Sequence, residues 1–154
     1  MNQGWHTVHL HRWLLLSALA AVAISGCGSP SAGVQSEPVF GPTNGVVVYF
    51  FHRTVRCPAC EKIEWLARQA VEDEFISEIA AGKLVWHPVN LDEPEQAHYA
   101  DRYQLQFQSV VVSEIRDGRE ISWKNLKKVW DLLEDDETMR FYIRDEVRAF
   151  LENQ

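Results

Sequence analysis

VVVYFFHRTVRCPACEKIEWLARQAV, residues 46–71, is the stretch from which the fold is read. Its opening, Val46 to Phe51, is a continuous run of β-branched and aromatic residues. Such a run suits a strand buried on both faces. From Pro58 onward the period changes. Ile63, Leu66, Ala67, Ala70, Val71, Phe75 and Ile79 recur at spacings of three and four, with Glu, Lys and Arg between them, which predicts an amphipathic helix. Gly82 is its stop signal. A buried strand therefore runs into a helix, and Cys57-Pro58-Ala59-Cys60 stands at the junction.

Working outward, KLVWHPV (83–89) reads as a second strand and SVVVSEI (109–115) as a third. Between them, Pro94 starts a short helix through about Tyr103. Asp117-Gly118 is a hairpin signal, and REISW (119–123) is the returning strand. Two amphipathic helices follow. The first carries Leu126, Val129, Trp130 and Leu133, the second Met139, Tyr142, Ile143, Val147 and Phe150. Asp135 or Asp136 is placed to cap the second. The order is β-α-β-α-β-β-α-α. A helical crossover makes the first two strands parallel, and the hairpin makes the last two antiparallel. The expected fold class is α/β, a mixed four-stranded sheet flanked by helices with an extra C-terminal helix.

The first 26 residues have a different character. Trp13 to Ile24 is an apolar run of 12 residues preceded by Arg12. A membrane-spanning helix needs about 20, whereas 12 suits a secretory signal peptide. Ile24-Ser25-Gly26-Cys27 follows directly and resembles the bacterial lipobox, in which the cysteine becomes lipid-modified. The expected organisation is a lipoprotein signal peptide over 1–26, a lipidated Cys27 with a Gly-, Pro- and Ser-rich tether over 27–45, and a folded domain over 46–154. The chain has three cysteines. If Cys27 carries lipid, Cys57 and Cys60 remain as a pair. That places the domain outside the cytoplasm, anchored to a membrane of the bacterial cell envelope, where disulfides persist.

Composition narrows the function. The 154 residues are 46% hydrophobic and 24% charged, with a net charge of −7. No basic cluster is present, which excludes duplex nucleic acid as a partner, since phosphate binding needs concentrated Lys and Arg. No flavin- or nicotinamide-binding glycine fingerprint is present.

The chemistry converges on the cysteine pair. Pro58 fits the first helical position, which puts Cys57 among the free N–H groups at the positive end of the helix. Both features stabilise a thiolate. Arg56 is adjacent and Arg53 near. They either tune Cys57 and steer an anionic partner, or form a solvated loop. Cys60, one turn further in, is shielded and within reach. Cys57 is then the nucleophile and Cys60 the resolving thiol of a dithiol that exchanges with a protein partner near the membrane and needs no cofactor. Two alternatives stay open. The pair could bind zinc, Cu(I) or a trivalent arsenical, with His52, His87 and His98 as candidate helpers. Or the disulfide could be inert, in a docking module. Trp65 either packs beside the site or covers the helix surface.

The element order with C-x-x-C opening the first helix resembles thioredoxin. VVVYFFHRTVRCPACEKIE, PVNLDEPEQAHYADRYQL, SVVVSEIRDGRE and WKNLKKVWDLL also resemble the ArsF-type proteins, named as nitrophenyl compound nitroreductase subunits, over roughly Val46 to Leu151. The resemblance implies a substrate loop before the third strand, facing the cysteines. Thioredoxins have a cis-proline there. This chain has Gln106-Phe107-Gln108-Ser109-Val110, with Ser109 or Val110 in its place and a trans peptide expected. Thioredoxins also bury an aspartate six residues before the first cysteine. Here that residue is Phe51, and His52 beside it faces the opposite side of the strand.

Overall fold

The computed structural model describes residues 41–154. The signal-peptide, Cys27 lipidation and most of the tether expectations lie outside the described residues. The elements run β1 (Gly45–His52), α1 (Pro58–Glu72), α2 (Ile76–Ala80), β2 (Leu84–Asn90), α3 (Tyr99–Arg102), β3 (Ser109–Arg116), β4 (Arg119–Asn125), a 3-10 helix (Lys127–Trp130) and α4 (Asp136–Glu152). The four strands form one mixed sheet in the order β2-β1-β3-β4. β1 is parallel to β2 and antiparallel to β3, and β3 is antiparallel to β4. With helices on its faces and α4 closing the chain, this is the thioredoxin-like α/β arrangement.

The continuous apolar run of β1 has its reason in this order. β1 is central, and alternate residues supply two cores. Val46, Val48 and Phe50 join Ile63, Leu66 and Ala67 of α1 and Met139, Ile143 and Val147 of α4. Val47, Tyr49 and Phe51 join Val111, Ile115 and Tyr103 on the other face. No helix among the described residues is long and apolar enough to cross a membrane.

Several boundaries differ from the sequence expectation. The helix predicted from Pro58 to Gly82 breaks at Asp73, and Phe75 beyond the break is buried in the core. α2 then ends in a Schellman motif, in which the Lys83 and Gly82 N–H groups donate to the Glu78 and Ile79 carbonyls. Gly82 sits at φ +68°, so it is the stop signal, though of a second helix. The helix expected from Pro94 shrinks to four residues. It closes in the same motif with Gln104 at φ 51° in the glycine position. The helix expected from Leu126 is a 3-10 turn. Asp117 and Gly118 both have positive φ, as a tight hairpin turn requires. Asn44, assigned to the tether, accepts from the Asp117 N–H at 3.0 Å, and Thr43 accepts from Gly118 at 2.8 Å. Asp135 caps α4 through the Thr138 N–H, and this bond holds its carboxyl below the usual range.

The tyrosines predict how the fold responds to alkali. Burial pushes the Tyr49 and Tyr103 hydroxyls far above the usual phenol range, with Glu120 adding to both. Burial, then Glu146, raises Tyr142 to about 12. The unfolded chain releases phenolic protons near pH ~10, whereas the folded chain retains them. The unfolded state therefore binds fewer protons, and stability falls as pH rises past that point. Urea midpoints measured between pH 8 and pH 11 are expected to drop above pH ~10. A flat profile would contradict the burial of these rings.

Candidate functional site

The site is built where β1 ends. Residues 53–57 leave the sheet and turn into α1, with Cys57 as the N-cap and Pro58 in the first turn. Cys57 is exposed, whereas Cys60 is 4% exposed and packed into the base of the helix. The two form a disulfide, with their Cα atoms 5.1 Å apart. The Cys60 N–H donates to Cys57 Sγ at 3.2 Å. This is an N-cap bond with sulfur as the acceptor, and in the reduced state the same N–H stabilises a Cys57 thiolate. The outer sulfur is thus accessible and supported by the helix, while the inner one is reached only through it.

Both arginines of the loop are engaged. Arg53 pairs with Asp92 at 2.8 Å, and the Asp92 carboxylate also accepts from the Thr54 N–H at 2.8 Å. These bonds, the Thr54 N–H first, hold the Asp92 carboxyl below the usual range. Arg56 pairs with Glu64, two turns into α1, and its guanidinium lies 5.7 Å from the centre of the Phe50 ring. The loop is therefore exposed to solvent, with both of its arginines tied into ion pairs. Its charges are paired, and the helix end adds positive potential at Cys57. Neither Asp92 nor Glu64 was singled out in the sequence, since nothing local ties them to the cysteines.

This pairing yields a prediction. Glu64→Gln removes the carboxylate that neutralises Arg56, so the Cys57 thiol is expected to ionise up to about one pH unit lower. The pH dependence of iodoacetamide alkylation of the reduced protein measures this. An unchanged profile would show that the Arg56 charge does not reach Cys57.

The segment before β3 lies at the same end of the sheet, since Ser109 pairs with Phe51 in register. None of the described peptide bonds is cis. Ser109 is buried and its Oγ donates to the Phe107 carbonyl at 2.9 Å. Trp130 Nε1 donates to the Gln108 carbonyl at 3.0 Å. Two side-chain bonds thus shape the turn before β3. The Val110 side chain is in the core, and its carbonyl accepts from the Leu126 N–H at 2.8 Å. Its side chain is therefore not available to a partner. Gln106, Phe107, Ser109, Asn125, Lys127 and Trp130 line a cleft of about 280 Å³ here, mostly apolar, with Phe107 exposed.

Phe51 lies in the second core, its ring 5.3 Å from those of Tyr99 and Tyr103. His52 is on the other face, 6.1 Å from Phe50. His87 packs edge-on to Tyr49 at 5.7 Å, and burial lowers its pKa. His98 lies against Tyr99 at 4.2 Å. Among the described residues, no three His, Cys, Asp or Glu side chains gather into a metal-binding group. The three histidines do not converge on the cysteines.

No protein-family profile matches the chain, and no curated protein does. Similar solved structures are thioredoxins. That of Malassezia sympodialis is 22% identical, covering 64% of this chain and 79% of its own, with a TM-score of 0.37. The oxidised Plasmodium falciparum protein is 14% identical over 68% and 83%, with a TM-score of 0.40. The Thermus thermophilus protein is 20% identical over 61% and 72%, with a TM-score of 0.35.

Proposed function

We propose that the protein is a thiol–disulfide oxidoreductase whose dithiol is Cys57 and Cys60. The observation that carries this reading is the asymmetry of the pair. An exposed sulfur caps α1, and a buried one closes the disulfide behind it. In the reduced protein, the Cys57 thiolate attacks one sulfur of a partner disulfide and forms a mixed disulfide. The partner's first thiolate leaves and takes a proton from solvent. The Cys60 thiolate then attacks Cys57 Sγ, forms the Cys57–Cys60 bond and releases the second partner thiolate. Two electrons pass to the partner. The reverse sequence oxidises a partner dithiol. Phe51 supplies no carboxylate to take the Cys60 proton, and the second step quickens with pH as more of Cys60 becomes thiolate.

The partner in this reading is a protein thiol or disulfide near a membrane. The lipobox-like Ile24-Ser25-Gly26-Cys27 after a 12-residue apolar run supports a lipid anchor at Cys27 and a position in the bacterial cell envelope, outside the cytoplasm. Replacing Cys27 by Ala would release the protein from the membrane fraction. The narrower likeness to ArsF-type proteins belongs to this reading and brings no reaction with it.

The test is equilibration of the protein in glutathione buffers, followed by thiol trapping and mass measurement. A reversible two-electron transition without co-purifying metal is expected, and its midpoint distinguishes a reductant from an oxidant. A pair that resists oxidation, or that retains zinc, copper or arsenic, would transfer the site to metal binding.

A further inference from the structure

Trp65 and Phe141 are large aromatic side chains on neighbouring helices, α1 and α4, yet they are 56% and 45% exposed. They line an open groove of about 450 Å³ together with Leu66 and Gln69. Of its lining residues, Arg140 reaches Asp73 at 3.7 Å and Asp136 is held by Lys62 at 2.7 Å. Its carboxylates are in excess. Glu137 lines the groove and Glu61 lies one turn before Trp65. Both are exposed, and neither has an ion-pair partner among the described residues. The groove thus offers the exposed Trp65 ring beside uncompensated negative charge, which is the chemistry that holds Lys or Arg. The chain itself supplies an instance, with the Arg144 guanidinium 4.5 Å from the centre of the Phe141 ring.

We infer that this groove docks a basic, partly apolar segment of the exchange partner, an inference that rests on the exchange reading above. Its place on α1 supports this. Trp65 is eight residues beyond Cys57 on the same helix, about 12 Å along its axis. Roughly four extended residues span that distance. A partner with lysines or arginines four or five residues from its reactive cysteine would engage both points at once. An anionic lipid surface would meet the same carboxylates unfavourably.

Binding to the oxidised full-length chain tests the groove without relying on exchange. The probe is a cysteine-free peptide of Leu-Lys-Lys-Leu repeats, with a Leu-Glu-Glu-Leu twin, followed by NMR and calorimetry. The lysine peptide is expected to bind, to shift resonances of residues 61–69 and 136–141, and to weaken with salt. Trp65→Ala with Phe141→Ala is expected to lose it, and Glu61→Gln with Glu137→Gln to weaken it about tenfold. Equal binding of both peptides, or lysine-peptide affinity unchanged in both double variants, would overturn the proposal. So would a concentration-dependent dimer of the chain alone that the aromatic double variant abolishes, since the groove would then belong to a second copy. Reduction of hydroxyethyl disulfide, small and neutral, reports separately on exchange. Both variants are expected to retain it. If the unmodified protein never reduces it, the exchange reading fails while the binding result still stands.

Discussion

A Cys57→Ser variant is expected to lose thiol–disulfide exchange by roughly 10³-fold or more, since a serine hydroxyl does not ionise near neutral pH and oxygen is a poor nucleophile toward a disulfide. Cys60→Ser is expected to behave differently. Cys57 remains exposed at the helix N-terminus, so the first attack proceeds and the mixed disulfide accumulates, with no second thiol to resolve it. The contrast follows from burial. Cys60 is 4% exposed and can attack only what is already bonded to Cys57. Rates with hydroxyethyl disulfide, and gels of trapped protein–glutathione adducts, measure the two outcomes. Full activity in Cys57→Ser, or trapping in that variant and not in Cys60→Ser, would reverse the roles.

The second large effect lies on the other face of the sheet. The Glu120 side chain is 5% exposed. It accepts from Tyr103 Oη at 2.6 Å, from Ser113 Oγ, and from Arg102 through Nε at 3.1 Å and Nη2 at 2.6 Å. Glu120→Ala strands two hydroxyls and a guanidinium together, and is expected to cost about 3–5 kcal/mol. That is a large share of the roughly 5–15 kcal/mol a domain commands. Tyr103→Phe removes one donor and leaves the carboxylate paired, so about 1 kcal/mol is expected. The double-variant cycle isolates the coupling between them. Urea unfolding measures each. A loss under ~1 kcal/mol for Glu120→Ala would show that the network is dispensable.

The strands, the hairpin turn and the caps were legible because their signals are local. A six-residue apolar run, Asp117-Gly118, Asp135 before α4 and Cys57-Pro58 before α1 each act within a few residues of themselves. So was the difference in exposure between the cysteines, which needs only a helix start. The break at Asp73 was not, since the helical period continues through it regardless. The pairing of Arg56 with Glu64 and of Arg53 with Asp92 was not either.

The boundary between the two kinds of knowledge follows sequence separation. Period, turn chemistry and capping were enough to assign a mixed α/β sheet with a dithiol at a helix N-terminus, because each is a property of neighbouring residues. Which charges surround Cys57, how Ser109 and Trp130 hold the turn that lacks proline, why Glu120 is tolerated inside, and that Trp65 faces a groove with Phe141 came only with the folded chain. Those contacts join residues brought together by strand order and helix packing. An ion pair or a buried hydrogen bond is specified by position in space, and no short pattern along the chain encodes it.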